Sequence, residues 1–345
     1  MRTPLLNFQR ATSTLDADAS QQRRARGFLV VMVISARKRV LAVGQFVVDV
    51  IVKPVERHPP ADVADVVEVI RLDTGGCTLN AARVLHKLGV PVRLAGLVGD
   101  DRLGEFLLTE IARAGLDPSG LRQRRRATTS SSIVLVGASG ERSFFHCPGA
   151  TAETTLDDIT DEDIEWAEII HLAGTCELNS LDIDAFLKKA KQLGKTLSLD
   201  VDYDPKGRWG ERVKPWLPYL DCFLPSRKEA AAISGLSDLS EILRFFAERG
   251  VQTVVVKLGK EGCVARSPDG RILTQPAFDV EVVDVTGAGD AFAGGFLAGV
   301  SEGRPLEECL RMGCAAGALT VMALGASAGL KDREQFDQFI RERTR

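Results

Sequence analysis

The stretch that most limits how this chain can fold is Val283-Asp284-Val285-Thr286-Gly287-Ala288-Gly289-Asp290-Ala291-Phe292-Ala293-Gly294-Gly295-Phe296. A β-rich run breaks into small residues and resumes with helical character, which predicts a strand, a tight turn and a helix N-terminus. Gly287 and Gly289 allow backbone angles closed to other residues and let a ligand approach the main chain. Free N–H groups and the positive end of the helix dipole then suit a phosphate. Asp290 runs against that field, because a carboxylate beside an anion site repels the ligand. A helix N-cap is one account of it, since Asp is favoured there. The other is a general base that takes a proton from a hydroxyl while the amides of Gly287, Ala288 and Gly289 hold a phosphoryl group.

The chain has 345 residues, 45% hydrophobic and 26% charged, enough to bury a large core as one α/β domain or two smaller ones. Its formal net charge is -3 and no basic stripe runs along it, which argues against nucleic-acid or anionic-membrane partners. The apolar run from Phe28 to Ile34 is far too short to span a bilayer. Seven scattered cysteines form no C-x-x-C pair, so reduced thiols in a cytoplasm are expected rather than a disulfide frame or a zinc site. Residues 1–35 are polar and irregular at first and read as a disordered extension or an early start, with Met32 as the alternative start. Residues 336–345 read as a helix end or tail.

Residues 40–51 form a mostly apolar, β-branched run suited to a buried parallel strand, interrupted by Asp49. Segments 63–72, 130–136 and 141–146 alternate with period two. The last two flank Gly137-Ala138-Ser139-Gly140, a good hairpin turn, so a small separate sheet is expected. A second glycine-rich stretch, Asp73 to Gly89, places Gly75 and Gly76 before a helix whose Leu79, Ala82, Leu85 and Leu88 recur at helical spacing. Asn80 offers a donor and acceptors from its first turn. From residue 165 onward strands and helices alternate, which argues for a parallel sheet with helices on both faces and ligands beyond the strand C-termini. Gly194-Lys195-Thr196 imitates the end of a Walker A loop, but Lys189 stands where its first Gly is required. No G-x-G-x-x-G follows the first strand, which argues against a dinucleotide-dependent dehydrogenase.

The Val283–Phe296 run resembles the C-terminal signature of the PfkB (ribokinase-like) carbohydrate kinases, D-T-x-G-A-G-D-x-F. Asp284 and the run Gly287 to Phe292 match; Val285 replaces the usual Thr. The Asp73–Gly89 stretch, continued by Gly96 to Asp101 and Gly104, resembles the N-terminal signature. The resemblance spans about residues 36–335. It implies a three-layer α/β/α sandwich with a mainly parallel sheet and a β-sheet lid at about 47–74 and 126–148. It further implies MgATP-dependent phosphorylation of a primary hydroxyl on a small sugar or sugar acid, with Asp290 as base. Asp49, Gly75, Gly76, Asn80 and Glu177 would then contact the sugar. Ser226, Lys257, Gly259, Gly262 and Cys314 would lie on the nucleotide side. Glu229 would act through Mg²⁺, and Asp284 would stand where relatives hold K⁺.

Three positions depart from the pattern. Val47 replaces an Asn, Gly-Gly-Cys-Thr replaces G-G-K-G around Cys77, and Ser226 replaces an Asn. The first two point away from ribose and phosphosugars toward an unphosphorylated hexose or sugar acid, fructose-like or ketodeoxygluconate-like. An adenosine-type nucleoside kinase and an inactive sugar-binding regulator are the alternatives. Arg142 and His146 on the lid hairpin offer contacts to an anionic substrate, with a solvated lid face as the preferred reading. The lid's edges and apolar faces imply a homodimer.

Overall fold

The run read as one strand over 40–51 is two strands in two different sheets. In the computed structural model, which describes residues 37–343 apart from 58, 139, 203, 205, 206 and 327, β1 (Val40–Gly44) ends at a glycine with φ of 140° and β2 (Val47–Lys53) begins three residues later. A Cβ at Gly44 would lie 1.9 Å from the carbonyl oxygen of Ala173, so the chain turns where only glycine fits. The chain divides into Met1–Arg37 and Lys38–Arg345, and all that follows concerns the second unit. The expectations for residues 1–35 lie outside the described residues.

Eleven further strands follow: β3 (Val69–Gly75), β4 (Val92–Gly99), β5 (Leu121–Arg124), β6 (Ser131–Val136), β7 (Arg142–Cys147), β8 (Ile169–Ala173), β9 (Thr196–Leu199), β10 (Cys222–Phe223), β11 (Thr253–Lys257), β12 (Cys263–Arg266) and β13 (Ile272–Gln275). Nine of the strands form one sheet in the order β13-β12-β11-β10-β9-β8-β1-β4-β5, parallel from β11 to β5 and antiparallel only at the β11-β12-β13 edge. Successive strand residues point to opposite faces. Leu41, Val43, Ile170, Leu172 and Phe223 pack on one side with the Ile183–Gln192 and Leu239–Ala247 helices. Val40, Ile169, Val255 and Ala265 pack on the other with the Ala288–Ser301, Leu306–Val321 and Arg333–Glu342 helices. The result is the α/β/α layering expected from the alternation.

The remaining four strands make the lid, in the order β3-β2-β6-β7. Its register sets two rows. Asp73, Asp49, Ser132 and His146 stand side by side on one face; Leu72, Val50, Ile133 and Phe145 on the other. Residues 63–68, expected within a strand, precede β3 as irregular chain.

Candidate active site

Two cavities meet at the Thr286–Gly289 turn. One, of about 520 Å³, lies under the lid and is lined by Asp49, Gly75, Asn80 and Thr286 among others. The other, of about 430 Å³, is largely apolar and is lined by Lys257, Gly259, Gly262, Ala288, Gly289 and Cys314 among others.

The turn itself is built by glycine. Gly287 is the N-cap of the Ala288–Ser301 helix with φ of 72°, and a Cβ there would lie 2.6 Å from the Cβ of Ala326. The N–H groups of Gly287, Gly289 and Asp290 make no hydrogen bond among the described residues. Ala288, expected to join them, donates to the Val285 carbonyl at 3.3 Å. Three amides at the positive end of a 14-residue helix form a cradle for an anion. Asp290 lies in the helix's first turn, yet it is not the N-cap and makes no capping bond. Its Oδ2 accepts from Asn80 Nδ2 at 2.8 Å, while Asn80 Oδ1 is buried with no partner among the described residues. Cys77, at the start of the Cys77–Lys87 helix, has its thiol pushed well up by burial and by Asp290 alongside.

Lys257, at the end of β11, donates to both oxygens of Asp200 at 2.7 and 2.6 Å. Burial works against its ammonium, but Asp200, Glu229 and Asp290 outweigh that and raise its pKa, so the charge stays on lysine. A Cβ on Gly289 would lie 3.3 Å from its Nζ, which puts a fixed cation against the amide cradle. Asp200 at the end of β9 was not singled out in the sequence. Its only signal is its place at a strand C-terminus.

Under the lid, burial pushes the Asp49 carboxyl up, against the pull of a hydrogen bond from Ser132. Gly75 faces it so closely that a Cβ would lie 2.5 Å from Asp49 Oδ2. Gly76, with φ of 95°, caps the next helix, and a Cβ there would meet the Gln45 carbonyl at 2.6 Å. Glu177 accepts from Gln45 Nε2 at 2.6 Å and meets His146 Nε2 at 2.8 Å; the other ring nitrogen of His146 meets Ser132 Oγ at 2.9 Å. His146 thus joins lid to core, although the residue as a whole stays exposed. Arg142 does the same. Its guanidinium lies 2.5 Å from Asp284 Oδ2, with side-chain exposures of 20% and 4%. Both contacts share a cause: β7 folds over the β8 and Asp284 loops, which no local pattern encodes. Gln45 and Ser132 were likewise missed.

Three other expectations end elsewhere. Ser226 lines neither cavity. It caps the Arg227–Ser234 helix in a reciprocal box with Glu229, whose Oε2 accepts from the Ser226 N–H at 2.7 Å. Glu229 Oε1 makes no hydrogen bond among the described residues. Asp284 accepts from Thr286 N–H and Oγ1, from Gly325 N–H and from Arg142. Burial raises its pKa, but these donors outweigh it and hold the carboxyl below the usual range. Two carboxylate oxygens offer about four lone-pair sites. All are used, so Asp284 does not fit a monovalent cation. Among the described residues no group of three or more His, Cys, Asp or Glu side chains is arranged to hold a metal ion.

The profile of the pfkB family of carbohydrate kinases matches residues 37–333. An uncharacterized sugar kinase of Archaeoglobus fulgidus is 32% identical over 71% of this chain and 97% of its own. The ATP-dependent ribose-1-phosphate kinase of Halopiger xanaduensis is 32% identical over 84% of this chain and 93% of its own. Among solved structures, Arabidopsis thaliana ribokinase complexed with ribose and ATP superposes with a TM-score of 0.77 at 25% identity, covering 89% of this chain and 99% of that one. An amide cradle with an acidic residue inside it, set between two cavities under a four-stranded lid, together with these likenesses, establishes that the chain belongs to the pfkB family of carbohydrate kinases and is a phosphotransferase.

Proposed function

We propose that the chain transfers the γ-phosphoryl group of ATP, with Mg²⁺, to a primary hydroxyl of a small sugar or sugar acid, with Asp290 as general base. The observation that carries this reading is Asp290 itself: it makes no cap, is aimed by Asn80 at 2.8 Å, and sits beside three N–H groups without partners among the described residues. Asp49, Gly75, Gly76 and Asn80 border the lid cavity or its rim and suit sugar hydroxyls, because a carboxylate can accept from two vicinal hydroxyls at once. Glu177, fixed by Gln45 and His146, stands at the lid-to-core seam on the same side.

The nucleotide fits the second cavity. Its apolar wall, with Phe292, Cys314 and Ala318, suits a base, and Lys257 and the glycines at 259 and 262 suit the groups nearer the turn. Bound ATP supplies the electrophilic phosphorus. Asp290 takes the hydroxyl proton as the oxygen attacks, and the Gly287, Gly289 and Asp290 amides with Lys257 stabilise charge on the transferring oxygens. Mg²⁺ is usually held by one or two carboxylates plus substrate phosphates and water. Glu229, with one oxygen outside its capping box, suits that part. Phosphoryl transfer needs little else beyond positioning.

The lid's outer row of Leu72, Ile133 and Phe145 is 46%, 44% and 59% exposed, which supports a homodimer closed through that face. No helix among the described residues is long and apolar enough to cross a membrane.

The test is ADP release with fructose, 2-dehydro-3-deoxygluconate, ribose, ribose 1-phosphate and adenosine. Turnover of a sugar or sugar acid above the ATP-alone rate supports the proposal. Turnover of adenosine alone makes the protein a nucleoside kinase, and silence with every acceptor leaves a sugar-binding regulator.

A further inference from the structure

The lid cavity is unusually cationic for a chain of net charge -3. Lys53, Arg71, Arg83, Lys87 and Arg142 line it, five cations against the three carboxylates Asp49, Glu68 and Asp73. Two of the cations are tied to carboxylates: Arg142 to Asp284, and Arg71 to Asp73 at 3.6 Å. Arg83 is different. It is half-buried, it donates to the backbone oxygen of Thr74 at 2.8 Å and to the Thr74 hydroxyl, and no carboxylate of the described residues lies within ion-pair distance of it. Its bonds to Thr74 fix the guanidinium in place without neutralising it.

One turn further along the same helix stands Lys87, whose Nζ donates to the Leu330 carbonyl at 2.9 Å. Burial lowers the pKa of both groups, and Arg83 lowers that of Lys87 further, although Asp73, Glu110 and Asp49 pull Arg83 back up. Two cations brought together in a part-buried wall destabilise each other unless an anion comes between them. Asn80, Arg83 and Lys87, spaced i, i+3 and i+7, all line this cavity. At a helical rise of 1.5 Å per residue, Arg83 lies about 4.5 Å and Lys87 about 10 Å along the axis from the residue that holds Asp290. That is the span of one small sugar.

Building on the kinase reading above, we infer that the acceptor carries an anionic substituent, a phosphate or a carboxylate, and that Arg83 and Lys87 bind it at the far end of the lid cavity from Asp290. A guanidinium fork meets such groups with two parallel bonds. Asp49 and the other cavity carboxylates are left for hydroxyls. The missing lysine at Cys77 is thus replaced by cations further along the same helix.

The experiment compares ribose 1-phosphate and 2-dehydro-3-deoxygluconate with the neutral sugars ribose and fructose. Loss of a hydrogen bond to a charged group costs about 10- to 100-fold in affinity. The expected result is that one anionic probe exceeds both neutral sugars in kcat/KM by roughly that factor or more, and which probe does so tells phosphate from carboxylate. Arg83→Gln should then raise KM for that probe by about 10- to 100-fold with a much smaller change in kcat, and Arg83→Lys should recover part of the loss. A neutral sugar used as well as the better of the two anionic probes overturns the inference, as does an Arg83→Gln effect of equal size on every sugar, the mark of a purely structural residue. Should Arg83→Gln fail to fold, the wild-type preference and Lys87→Gln decide the matter.

Binding separates this from the kinase reading. If no acceptor releases ADP, yet an anionic probe raises the melting temperature of the wild-type protein and not of Arg83→Gln, the anion site stands and the kinase reading falls. If neutral sugars are phosphorylated and neither anionic probe shifts the melt, the kinase reading stands and this inference falls.

Discussion

Asp290→Asn separates chemistry from architecture at this site. The substitution keeps size and shape and removes the carboxylate proposed as the base. Asp290 Oδ2 accepts from Asn80 Nδ2 at 2.8 Å, and an amide oxygen in its place meets the same donor. The bond survives as a neutral pair in place of a charge-assisted one, a loss of about 1 kcal/mol. Removing a carboxylate from the first turn of a helix costs about 0.3–1 kcal/mol more. No capping bond is lost, because the Asp290 side chain makes none. Stability should therefore fall by about 1–2 kcal/mol at most. General base catalysis contributes roughly 10²- to 10⁴-fold, or about 2.7–5.5 kcal/mol of barrier. Turnover should drop by that factor, while ATP affinity holds or tightens because a negative charge has left the anion cradle. The assay is ADP release at saturating acceptor, beside thermal melts and a nucleotide titration on the same preparation. Turnover within about tenfold of wild type, below the bottom of that range, would refute the assignment of Asp290 as proton acceptor.

Gly287→Ala should cost about 1–3 kcal/mol in chemical denaturation and lower turnover, because φ of 72° is strained for alanine and the new Cβ meets Ala326 at 2.6 Å; unchanged stability would show that the turn relaxes freely. His146 gives a pH prediction. Its hydrogen bond to Glu177 raises its folded-state pKa above 6.5, against the effect of burial, so the lid-to-core bridge contributes fully below about pH 6.5 and is lost as pH climbs through the raised value. Stability measured across that window should fall, and His146→Gln should flatten the profile; an NMR titration placing His146 below 6.5 would contradict it. Phe145→Asp, on the outer face of the lid, should leave a monomer by light scattering if that face closes a dimer, and a wild-type monomer at high concentration would remove the dimer proposal.

What the sequence determined by itself is what local chemistry encodes. The Gly287–Asp290 turn follows from glycines that alone tolerate its backbone, and the helix after it from its small apolar residues. The Cys77–Lys87 helix follows from leucine and alanine at helical spacing, and the layered sheet from alternating segments. Tertiary structure decided which distant groups meet. Asn80 reaches Asp290 across 210 positions and Arg142 reaches Asp284 across 142, and neither pairing leaves any periodicity to read. The division of residues 40–51 into β1 and β2 depends on the Ala173 carbonyl packed against Gly44, so a run that is mostly apolar in sequence breaks where a strand far along the chain leaves no room. The row of Asp73, Asp49, Ser132 and His146 exists only through strand register, which backbone pairing sets between segments far apart in the chain. The lack of an ion pair at Arg83 among the described residues is of the same kind. The residue type is visible in the sequence, but the absence of a described carboxylate within ion-pair distance is a property of the fold, because ion pairing depends on distance in space and not on separation along the chain.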